Sequence, residues 1–253
     1  METSKPGEAE LIIQKLPCDM GIHRNPRKGT LDAPEKILGG LSFDRAVMVD
    51  EVFPDEFDLE ETHSRIYENT AELAEYDRPM VSVGGDHSVS FPVIKALKEK
   101  NPGLQLVWLD AHLDLKEKVG EHVSHDVVVR ELVEEGLFKP GEVYFVGVTR
   151  IDEDEEKYLE GRNFHIYRPG ELGKFMEEFE GEAYLSIDID VLREEVAPGT
   201  GYPDGDLMVE QVLELVEEVE PLHADIVEVA PSLDNGNAVK ASNRILERLV
   251  DLV

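Results

Sequence analysis

The chain has 253 residues, and its 25 Lys and Arg against 56 Asp and Glu give a formal net charge of −31. Such a length fits one large domain or two small ones, and we expect a single domain over residues 1–253. The hydrophobic share of 41% predicts an ordinary globular core and excludes a fibrous or disordered chain. The charge argues against nucleic acid, whose phosphates would be repelled. It favours encounter with small cationic molecules, although most of these carboxylates are expected on a solvated surface.

The only cysteine is Cys18, so no intramolecular disulfide can form, which fits a reducing compartment. The first residues, METSKPGEAE, lack the basic start and the apolar core of a signal peptide. No apolar run approaches the roughly 18 residues that a membrane span needs. We therefore expect a soluble cytoplasmic protein with no membrane partner.

Short apolar runs alternate along the chain with longer amphipathic segments. The predicted strands are LIIQKL from Leu11, RAVMVD from Arg45, MVSV from Met80, LQLVWLD from Leu104, VYFVGV from Val143, AYLSIDID from Ala183 and DIVEV from Asp225. The predicted helices are LEETHSRIYENTAELAEY, VIKALKEK, VVVRELVEEG, LMVEQVLELVEEV and ASNRILERLVDLV. This alternation implies an α/β fold with a parallel sheet covered on both faces, and a TIM barrel has a similar rhythm. In either fold, chemistry collects at the carboxyl ends of the strands.

The segment WLDAHLDL carries the strongest chemical signal. Asp110, His112 and Asp114 alternate with apolar residues at the end of a predicted strand. An extended chain has a side-chain period of two, so all three would point the same way. Such metal-capable groups on one face would repel one another without a cation. The alternative is a chance solvated strand end, against which Trp108 and Leu109 argue because they suggest burial.

A second pair of carboxylates follows the apolar run AYL. Asp188 and Asp190, in SIDIDVL, again have a spacing of two. Two buried carboxylates that face one way need a metal, a proton or an arginine. Taken alone, this segment leaves a structural ion pair and a metal site equally open.

The third signal is SVGGDHS, in which Gly84 and Gly85 permit a sharp turn that delivers Asp86 and His87 at a strand end. A lone histidine in such a loop is usually structural. Combined with the other two segments, however, His87 completes a set of two imidazoles and four carboxylates. This oxygen-rich set suits Mn²⁺, where a thiolate-rich set would suit zinc. Six side chains exceed what one ion takes from protein, and bridging across two ions about 3.5–4 Å apart would use them all.

In this order and with about this spacing, GGDHS, DAHLD and SIDID resemble the three metal-binding signatures of the ureohydrolase family, which includes arginase, agmatinase and formimidoylglutamase. The resemblance runs from about Gly21 to the C-terminus, and the three motifs together are highly specific. It implies a three-layer α/β/α fold with an open, mainly parallel sheet, which sets the barrel aside. It also implies a hydrolase that acts on linear amidines, releases urea and assembles as a homo-trimer or homo-hexamer.

The resemblance assigns roles to the ligand residues. One Mn²⁺ would be bound by His87, Asp110, Asp114 and Asp188, and the other by His112, Asp110, Asp188 and Asp190. Asp110 and Asp188 would bridge the two ions. A hydroxide between the ions would attack the guanidinium carbon, since metal binding lowers the pKa of water toward 7, and Asp114 would accept its hydrogen bond.

Two further residues match catalytic positions of the family. His125, in GEHVSHDVVVR, matches a proton shuttle, which would protonate the leaving amine. Without the family match, an ordinary residue at a helix start is an equal alternative, and His122 is a weaker candidate for the shuttle. Glu228, in DIVEVAP, matches the glutamate that pairs bidentately with a guanidinium. Its alternative is a surface carboxylate.

Several positions depart from the family pattern, although none removes a metal ligand. The usual Asp-Pro-Ala after SIDID is missing from REEVAPGTGYPDGDL. APGTG is present from Ala197, but the next segment looks one residue shorter and Asp206 stands where glycine is common. An Ala-Pro pair replaces the usual Asn-Pro after Glu228, and Asp126 follows His125 where a small residue is typical. These departures concern the pocket rim and the substrate.

The loop LKEKVGEHVSH bears on the substrate because it lacks the Asn and Thr with which arginases hold a carboxylate. It resembles the agmatinase loop, so the predicted reaction is agmatine to putrescine and urea, with arginase and formimidoylglutamase activities as alternatives. The second of these is suggested by a basic segment that faintly resembles formimidoylglutamases, comprising Arg24, Asn25, Arg27 and Lys28. A basic surface loop is the other interpretation of that segment. His125 argues against formimidoylglutamase, which tends to lack a histidine there.

Two interpretations belong to other classes of protein. One is a zinc-dependent amide deacetylase, which shares a related fold, and the complete two-metal set argues against it. The other is a metal-binding protein without turnover, against which His125 and Glu228 argue.

Overall fold

The structure is a computed structural model that describes residue 3, residues 5–22 and residues 28–252. Its strands are β1 Leu11–Leu16, β2 Val47–Glu51, β3 Met80–Gly84, β4 Gln105–Leu109, β5 Val143–Val146, β6 His165–Tyr167, β7 Ala183–Asp188 and β8 His223–Val227. They form one eight-stranded sheet in the order β2-β1-β3-β8-β7-β4-β5-β6. Every pairing is parallel. The sheet is open, with β2 and β6 at its edges, so the prediction of an open parallel sheet is confirmed.

Helices cover both faces of this sheet. They are α1 Ala33–Leu38, α2 Leu59–Ala74, α3 Ser90–Lys100, α4 Val128–Glu134, α5 Glu153–Leu159, α6 Leu172–Glu178, α7 Val209–Val219 and α8 Asn237–Leu252. Alternate strand residues face two separate cores, as a period of two requires. Ile13 and Val107 pack with α1, α6, α7 and α8, whereas Ile12 and Trp108 pack with α2, α3 and α4. This is the three-layer α/β/α arrangement that the sequence predicts.

Every strand and helix predicted from the sequence is present, but one short strand and three short α-helices of the described residues were not predicted. These are β6, α1, α5 and α6. The strand β6 has three residues at the edge of the sheet, two of them only partly buried, so it lacks a continuous apolar run. The helix α5, EDEEKYL, buries only Glu155 and Tyr158, which leaves no apolar stripe to recognise. Across residues 5–22 and 28–252, no helix combines the length and apolarity needed to cross a bilayer.

The strand order brings distant parts of the sequence together. The four central strands, β3, β8, β7 and β4, lie side by side, and their carboxyl ends therefore meet at one edge. β3 and β4 follow each other in the chain, but β8 and β7 lie between them in the sheet. In open α/β sheets, such a change of strand order leaves a crevice where ligands bind. Each of these four strand ends carries one of the motifs singled out in the sequence.

A histidine is buried at the start of β8, at the amino ends of the central strands and so opposite the carboxyl ends that carry the motifs. His223 is 4% exposed, and its Nδ1 accepts the backbone N–H of Met80 at 3.1 Å. Burial lowers the pKa of His223 to about 4 from 6.5, because the charged imidazole would lose its hydration. Between pH 4 and pH 6.5, His223 therefore binds more protons in the unfolded chain than in the folded chain. The stability contributed by neutral His223 is therefore present above about pH 6.5 and is lost as the pH falls toward 4.

We predict that His223→Asn makes the protein less sensitive to acid, because asparagine keeps an acceptor for Met80 and does not titrate. Between pH 7 and pH 5, the free energy of unfolding should fall by about 1–2 kcal/mol less in the variant than in the wild type. Urea denaturation at the two pH values measures this difference. His122→Asn, at an exposed position, is the control and should keep the wild-type pH dependence. An equal loss in His223→Asn and wild type would contradict the prediction.

Candidate metal centre and active site

All six side chains predicted as metal ligands lie at the carboxyl edge of the central strands. His87 follows β3, Asp110, His112 and Asp114 follow β4, Asp188 ends β7, and Asp190 lies in the turn after it. These residues come from three segments separated by tens of residues in the sequence. Their proximity is therefore a consequence of the strand order.

His87 lies at the centre of one half of this cluster. Its Nδ1 is 3.3 Å from a carboxylate oxygen of each of three aspartates, Asp110, Asp114 and Asp188. Neither this Nδ1 nor the facing Asp110 Oδ2 has a hydrogen-bond partner of acceptable geometry among the described residues. Buried polar atoms are costly without a partner. One imidazole nitrogen and three carboxylate oxygens around one point form a donor set for a cation.

His112 lies at the centre of the other half. Its Nδ1 is 3.3 Å from Asp110 Oδ1 and 3.0 Å from Asp190 Oδ2. Asp110 thus directs one oxygen toward each imidazole, which is the arrangement of a carboxylate that bridges two ions. Asp188 was also predicted to bridge, and its Oδ2 lies 3.3 Å from the Nδ1 of His87. The bridging roles of Asp110 and Asp188 stay predictions.

The backbone that brings these groups together is not the extended chain predicted from the period of two. β4 ends before Asp110, and Asp114 has a left-handed φ of 50°. Asp190 lies in a 3-10 turn. In both motifs the first aspartate accepts a backbone N–H two residues later, since Asp110 accepts from His112 and Asp188 from Asp190, each at 2.7 Å. Turns closed by aspartate side chains therefore produce the convergence.

Three of the four aspartates have raised pKa values, whereas the two histidines lower the pKa of Asp110. Burial and the charge of Asp110 raise the pKa of Asp114 to about 6 and that of Asp190 to about 7. Burial and the charges of Asp190 and Asp110 raise the pKa of Asp188 well above its usual range. Each upward shift reflects the cost of holding a negative charge among others in a buried place. Cations bound among these groups would remove that cost.

The orientation of His87 is fixed by groups on β4, β7 and β8. Its ring stacks on Trp108, with centroids 3.9 Å apart, and its Nε2 lies 2.9 Å from Ser186 Oγ. The register of the two strands pairs Ser186 with Asp225, and the hydroxyl donates to that carboxylate at 2.7 Å. Tyr184 donates to the other oxygen of Asp225 at 2.6 Å. Since its proton is used, Ser186 Oγ accepts from Nε2–H, which in the neutral imidazole leaves the Nδ1 lone pair facing the aspartates, as metal binding requires.

The GGDHS loop places His87 by close packing. A Cβ on Gly85 would lie 1.8 Å from the carbonyl oxygen of Cys18, so only glycine permits this approach. Asp86 does not join the ligand cluster. Its carboxylate accepts the N–H of Gly21 at 2.9 Å and a second N–H in its own turn, so it holds the loop in place.

His125 and Glu228 form a pair beside the cluster. His125 Nδ1 lies 3.4 Å from Glu228 Oε1, and this oxygen also accepts the backbone N–H of His87 at 2.9 Å. Glu228 has a left-handed φ of 62°, a conformation that non-glycine residues rarely adopt. Burial acts to lower the pKa of His125, but the hydrogen bond and charge of Glu228 outweigh it and raise the pKa to about 9. The two predicted catalytic residues are therefore in contact.

A pocket, here termed the inner pocket, opens at this edge of the sheet. Of the predicted site residues, it is lined by His112, Asp114, His125, Asp188, Asp190 and Glu228. His122, the weaker shuttle candidate, does not line it. It lies in an outer cleft with Nδ1 3.5 Å from a carboxylate oxygen of Glu60. The structure thus favours His125 over His122 as the residue next to the chemistry.

Several residues of the site were missed from the sequence. They are Ser186 and Asp225 beside His87, Asp204 beside His112, and Arg150, Asp152, Glu155 and Tyr202 in the lining of the inner pocket. Ser186 and Asp225 carried a signal, because each is a polar residue with apolar neighbours on both sides within a strand. Asp204 carried none, since it lies in an irregular loop.

Most of the basic segment that suggested formimidoylglutamase cannot be compared with the site. Arg24, Asn25 and Arg27 lie outside the described residues. Lys28 is described, and its Nζ donates to the backbone oxygen of Asp19 at 3.0 Å. It does not line the inner pocket, so its side chain does not support carboxylate binding there.

Comparison with known proteins assigns the chain to a family. The Arginase family model matches residues 9–250. The mitochondrial agmatinase of Gallus gallus is 30% identical, with 98% of this chain and 82% of the relative covered. The mitochondrial guanidino acid hydrolase of Homo sapiens is 29% identical, with coverages of 100% and 80%. A solved structure, a hypothetical agmatinase from Burkholderia thailandensis, matches with a TM-score of 0.86 at 24% identity, over 99% of this chain and 87% of that one.

The chain therefore belongs to the arginase family, and the resemblance drawn from the three motifs is confirmed. The prediction of a hydrolase of this family is confirmed with it. The solved structure, at 24% identity, shows that the fold is shared.

Proposed function

We propose that this protein hydrolyses a guanidino group with two Mn²⁺ ions held by the aspartate–histidine cluster, and that its substrate is agmatine, which it converts to putrescine and urea. The observation that carries the proposal is the position of Asp110. Its two oxygens face two different imidazoles, and it belongs to both of the residue triads that could hold a metal. A guanidino acid hydrolase and an agmatinase among the relatives support the same kind of substrate.

The donor set fits manganese. It consists of imidazole nitrogens and carboxylate oxygens, and the sole cysteine of the sequence is not part of it. Such a set suits Mn²⁺ more than zinc. His87, Asp110, Asp114 and Asp188 would hold one ion, and His112, Asp110, Asp188 and Asp190 the other. Ions bound there would lower the pKa of a bound water toward 7 and so supply a nucleophile at neutral pH.

Glu228 would bind the guanidinium of the substrate. Its carboxylate borders the inner pocket, and one oxygen is held by the N–H of His87. A carboxylate pairs bidentately with a planar guanidinium. Because His87 is also a predicted ligand, this bond ties the substrate-binding group to the cluster, which keeps the guanidinium carbon near the reacting groups.

His125 would carry the proton that the leaving amine needs. It borders the same pocket, and its contact with Glu228 raises its pKa to about 9. The positive charge of ions in the cluster would lower this pKa toward neutrality, where an imidazole gives and takes protons readily. Asp114, which also lines the inner pocket, would accept a hydrogen bond from the attacking water.

A second pocket, which shares Lys116, His125, Asp126 and Tyr202 with the inner pocket, favours a substrate with a cationic end. Its lining includes three carboxylates, Glu117, Asp126 and Asp154, and one lysine, Lys116. The Nζ of Lys116 is already 3.1 Å from Asp152 Oδ2. The distal ammonium of agmatine would be attracted to such a surface, whereas a carboxylate would be repelled.

A guanidino acid is the second candidate, because two cations do line the inner pocket. They are Lys116 and Arg150. Arg150 Nε donates to Asp152 Oδ1 at 2.9 Å, so both cations contact the same carboxylate. A carboxylated substrate would have to displace Asp152 from them. Lys118, another cation of the same loop, lies against Glu131 and does not line the inner pocket.

The two interpretations from other classes gain no support. A zinc-dependent deacetylase does not need the second triad around His112, which is complete here. A protein without turnover does not need His125 and Glu228 to meet beside the cluster.

The metal proposal predicts that manganese-loaded protein retains about two ions per chain after gel filtration. In Asp110→Asn, both ions should bind more weakly, because the shared carboxylate loses its charge. Elemental analysis of the two proteins measures this. Asp206→Asn, which removes an exposed carboxylate paired with Arg193, is the control and should retain both ions. A reproducible single zinc per chain would refute the proposal.

The shuttle proposal predicts that His125→Ala keeps nearly normal metal content but loses turnover by roughly 10²–10⁴-fold, as expected when a general acid is removed. Urea release with the best substrate gives the rate. His122→Ala is the matched control and should turn over almost normally. If His125→Ala stays near wild type while His122→Ala fails, the two histidines have been assigned in the wrong order.

The substrate proposal predicts that kcat/KM for agmatine exceeds that for arginine by at least about 10²-fold, because an uncompensated carboxylate in a partly buried pocket costs a few kcal/mol. Urea release from agmatine, arginine and guanidinobutyrate, with ammonia or formamide release from formimidoylglutamate, provides the comparison. Asp154→Asn should narrow the preference for agmatine over arginine, whereas Asp206→Asn, at an exposed residue that does not line the inner pocket, should not.

A preference for a carboxylated substrate over agmatine would contradict the substrate proposal and identify the residues that bind the carboxylate. A preference for guanidinobutyrate would indicate that Lys116 and Arg150 bind a carboxylate. A preference for formimidoylglutamate that disappears in Arg24→Ala or Arg27→Ala would indicate that the basic segment does so.

A further inference from the structure

The loop that departs from the family pattern after APGTG reaches the metal centre. Asp204, within YPDGD, places its Oδ2 3.2 Å from Nε2 of His112. The other ring nitrogen of His112 faces Asp110 and Asp190. The imidazole therefore lies between the predicted ligand carboxylates on one side and Asp204 on the other. No pattern in the sequence marked Asp204 for such a position.

The two histidines of the cluster differ in what holds them. His87 is 1% exposed, stacks on Trp108 and contacts Ser186. His112 is 20% exposed, and its aromatic neighbour is the edge of Tyr202, with centroids 5.9 Å apart. Its ring is thus less confined by packing, and a hydrogen bond to Nε2 has correspondingly more influence on its orientation.

We propose that Asp204 is a positioning residue that fixes His112 in its metal-binding tautomer and thereby sets the affinity of the metal position formed by Asp110, His112 and Asp190. A neutral imidazole donates from one nitrogen and accepts at the other. With Asp204 accepting from Nε2–H, the lone pair of Nδ1 is directed at Asp110 and Asp190. Carboxylates that orient metal-binding histidines in this way strengthen the site. The inference rests on the two-metal function proposed above.

Asp204 is itself held by the residues that follow β5. Arg150 Nη1 donates to the same carboxylate oxygen at 3.3 Å, and Thr149 Oγ1 donates to the backbone oxygen of Asp204 at 2.8 Å. The backbone N–H groups of Thr149 and Arg150 both donate to the carbonyl of Ala111, at 3.0 and 3.1 Å. Ala111 lies between two predicted ligands, so one short segment ties Asp204 to the backbone of the metal motif.

The other side of the loop is packed against the second metal motif. A Cβ on Gly205 would lie 2.2 Å from the carbonyl oxygen of Asp190, so only glycine permits this contact. Just beyond it, Leu207 N–H donates to the carbonyl of Val191 at 3.1 Å. The shortened loop is therefore anchored to both metal motifs, and the anchoring defines where the Asp204 carboxylate lies.

The test compares Asp204→Ala and Asp204→Asn with wild type in calorimetric titrations of metal-free protein with Mn²⁺. In Asp204→Ala, one of the two binding steps should weaken by about 10–100-fold, the range for loss of a group that orients a ligand, while the other step is unchanged. Asp204→Asn should weaken the same step less, since its amide oxygen can still accept from Nε2–H. Asp206→Asn, two residues away and paired with Arg193 at 2.8 Å, is the matched control and should titrate like wild type.

Two outcomes would overturn the inference. One is an Asp204→Ala titration identical to that of wild type. The other is equal weakening of both steps together with a lower melting temperature of the metal-free variant, which would indicate a general role in loop folding. Wild-type protein that takes up fewer than two ions would overturn the two-metal proposal as well. If the wild type shows two binding steps and Asp204→Ala gives either of the two outcomes above, only the inference about Asp204 fails.

Discussion

The concentration of negative charge around Asp110 is the constraint on which the rest of the site depends. Four aspartates converge at one buried edge, and their burial and mutual repulsion raise the pKa values of Asp114, Asp188 and Asp190. A folded chain can hold such a group of carboxylates only with protons or cations among them. The neighbouring groups are arranged for cations, since Ser186 orients the Nδ1 lone pair of His87 toward the aspartates.

The sheet makes this concentration of charge possible. Three of its central strands, β3, β7 and β8, are buried along their whole length, and β4 is buried beyond its first residue, so packing on both faces fixes their carboxyl ends. The strand order then places β3, β8, β7 and β4 side by side. Local chain geometry completes the site, because aspartate side chains close the turns after β4 and β7 and Glu228 adopts a left-handed conformation after β8. The strands thus position the motifs relative to one another, and the turns that follow the strands position the individual side chains.

The candidate ligands and the fold class could be predicted from the sequence, but the contacts that hold the candidate ligands could not. Asp110, His112 and Asp114 could be found because aspartate and histidine are unusual after a strand as apolar as β4. The turn that brings them together could not, since it depends on hydrogen bonds from Asp110 and from groups elsewhere in the fold. Asp204 and Arg150 were missed for the same reason, because their role follows from contacts between loops. Short elements such as β6 were missed because packing, not periodicity, defines them.

Diffraction from manganese-loaded crystals, recorded on both sides of the manganese absorption edge, tests the bridging position of Asp110 most directly. Two anomalous peaks about 3.5–4 Å apart are predicted, one beside His87 and one beside His112. The two oxygens of Asp110 should each contact one of them. A single peak, or two peaks of which neither contacts Asp110, would contradict a dinuclear centre built on this residue.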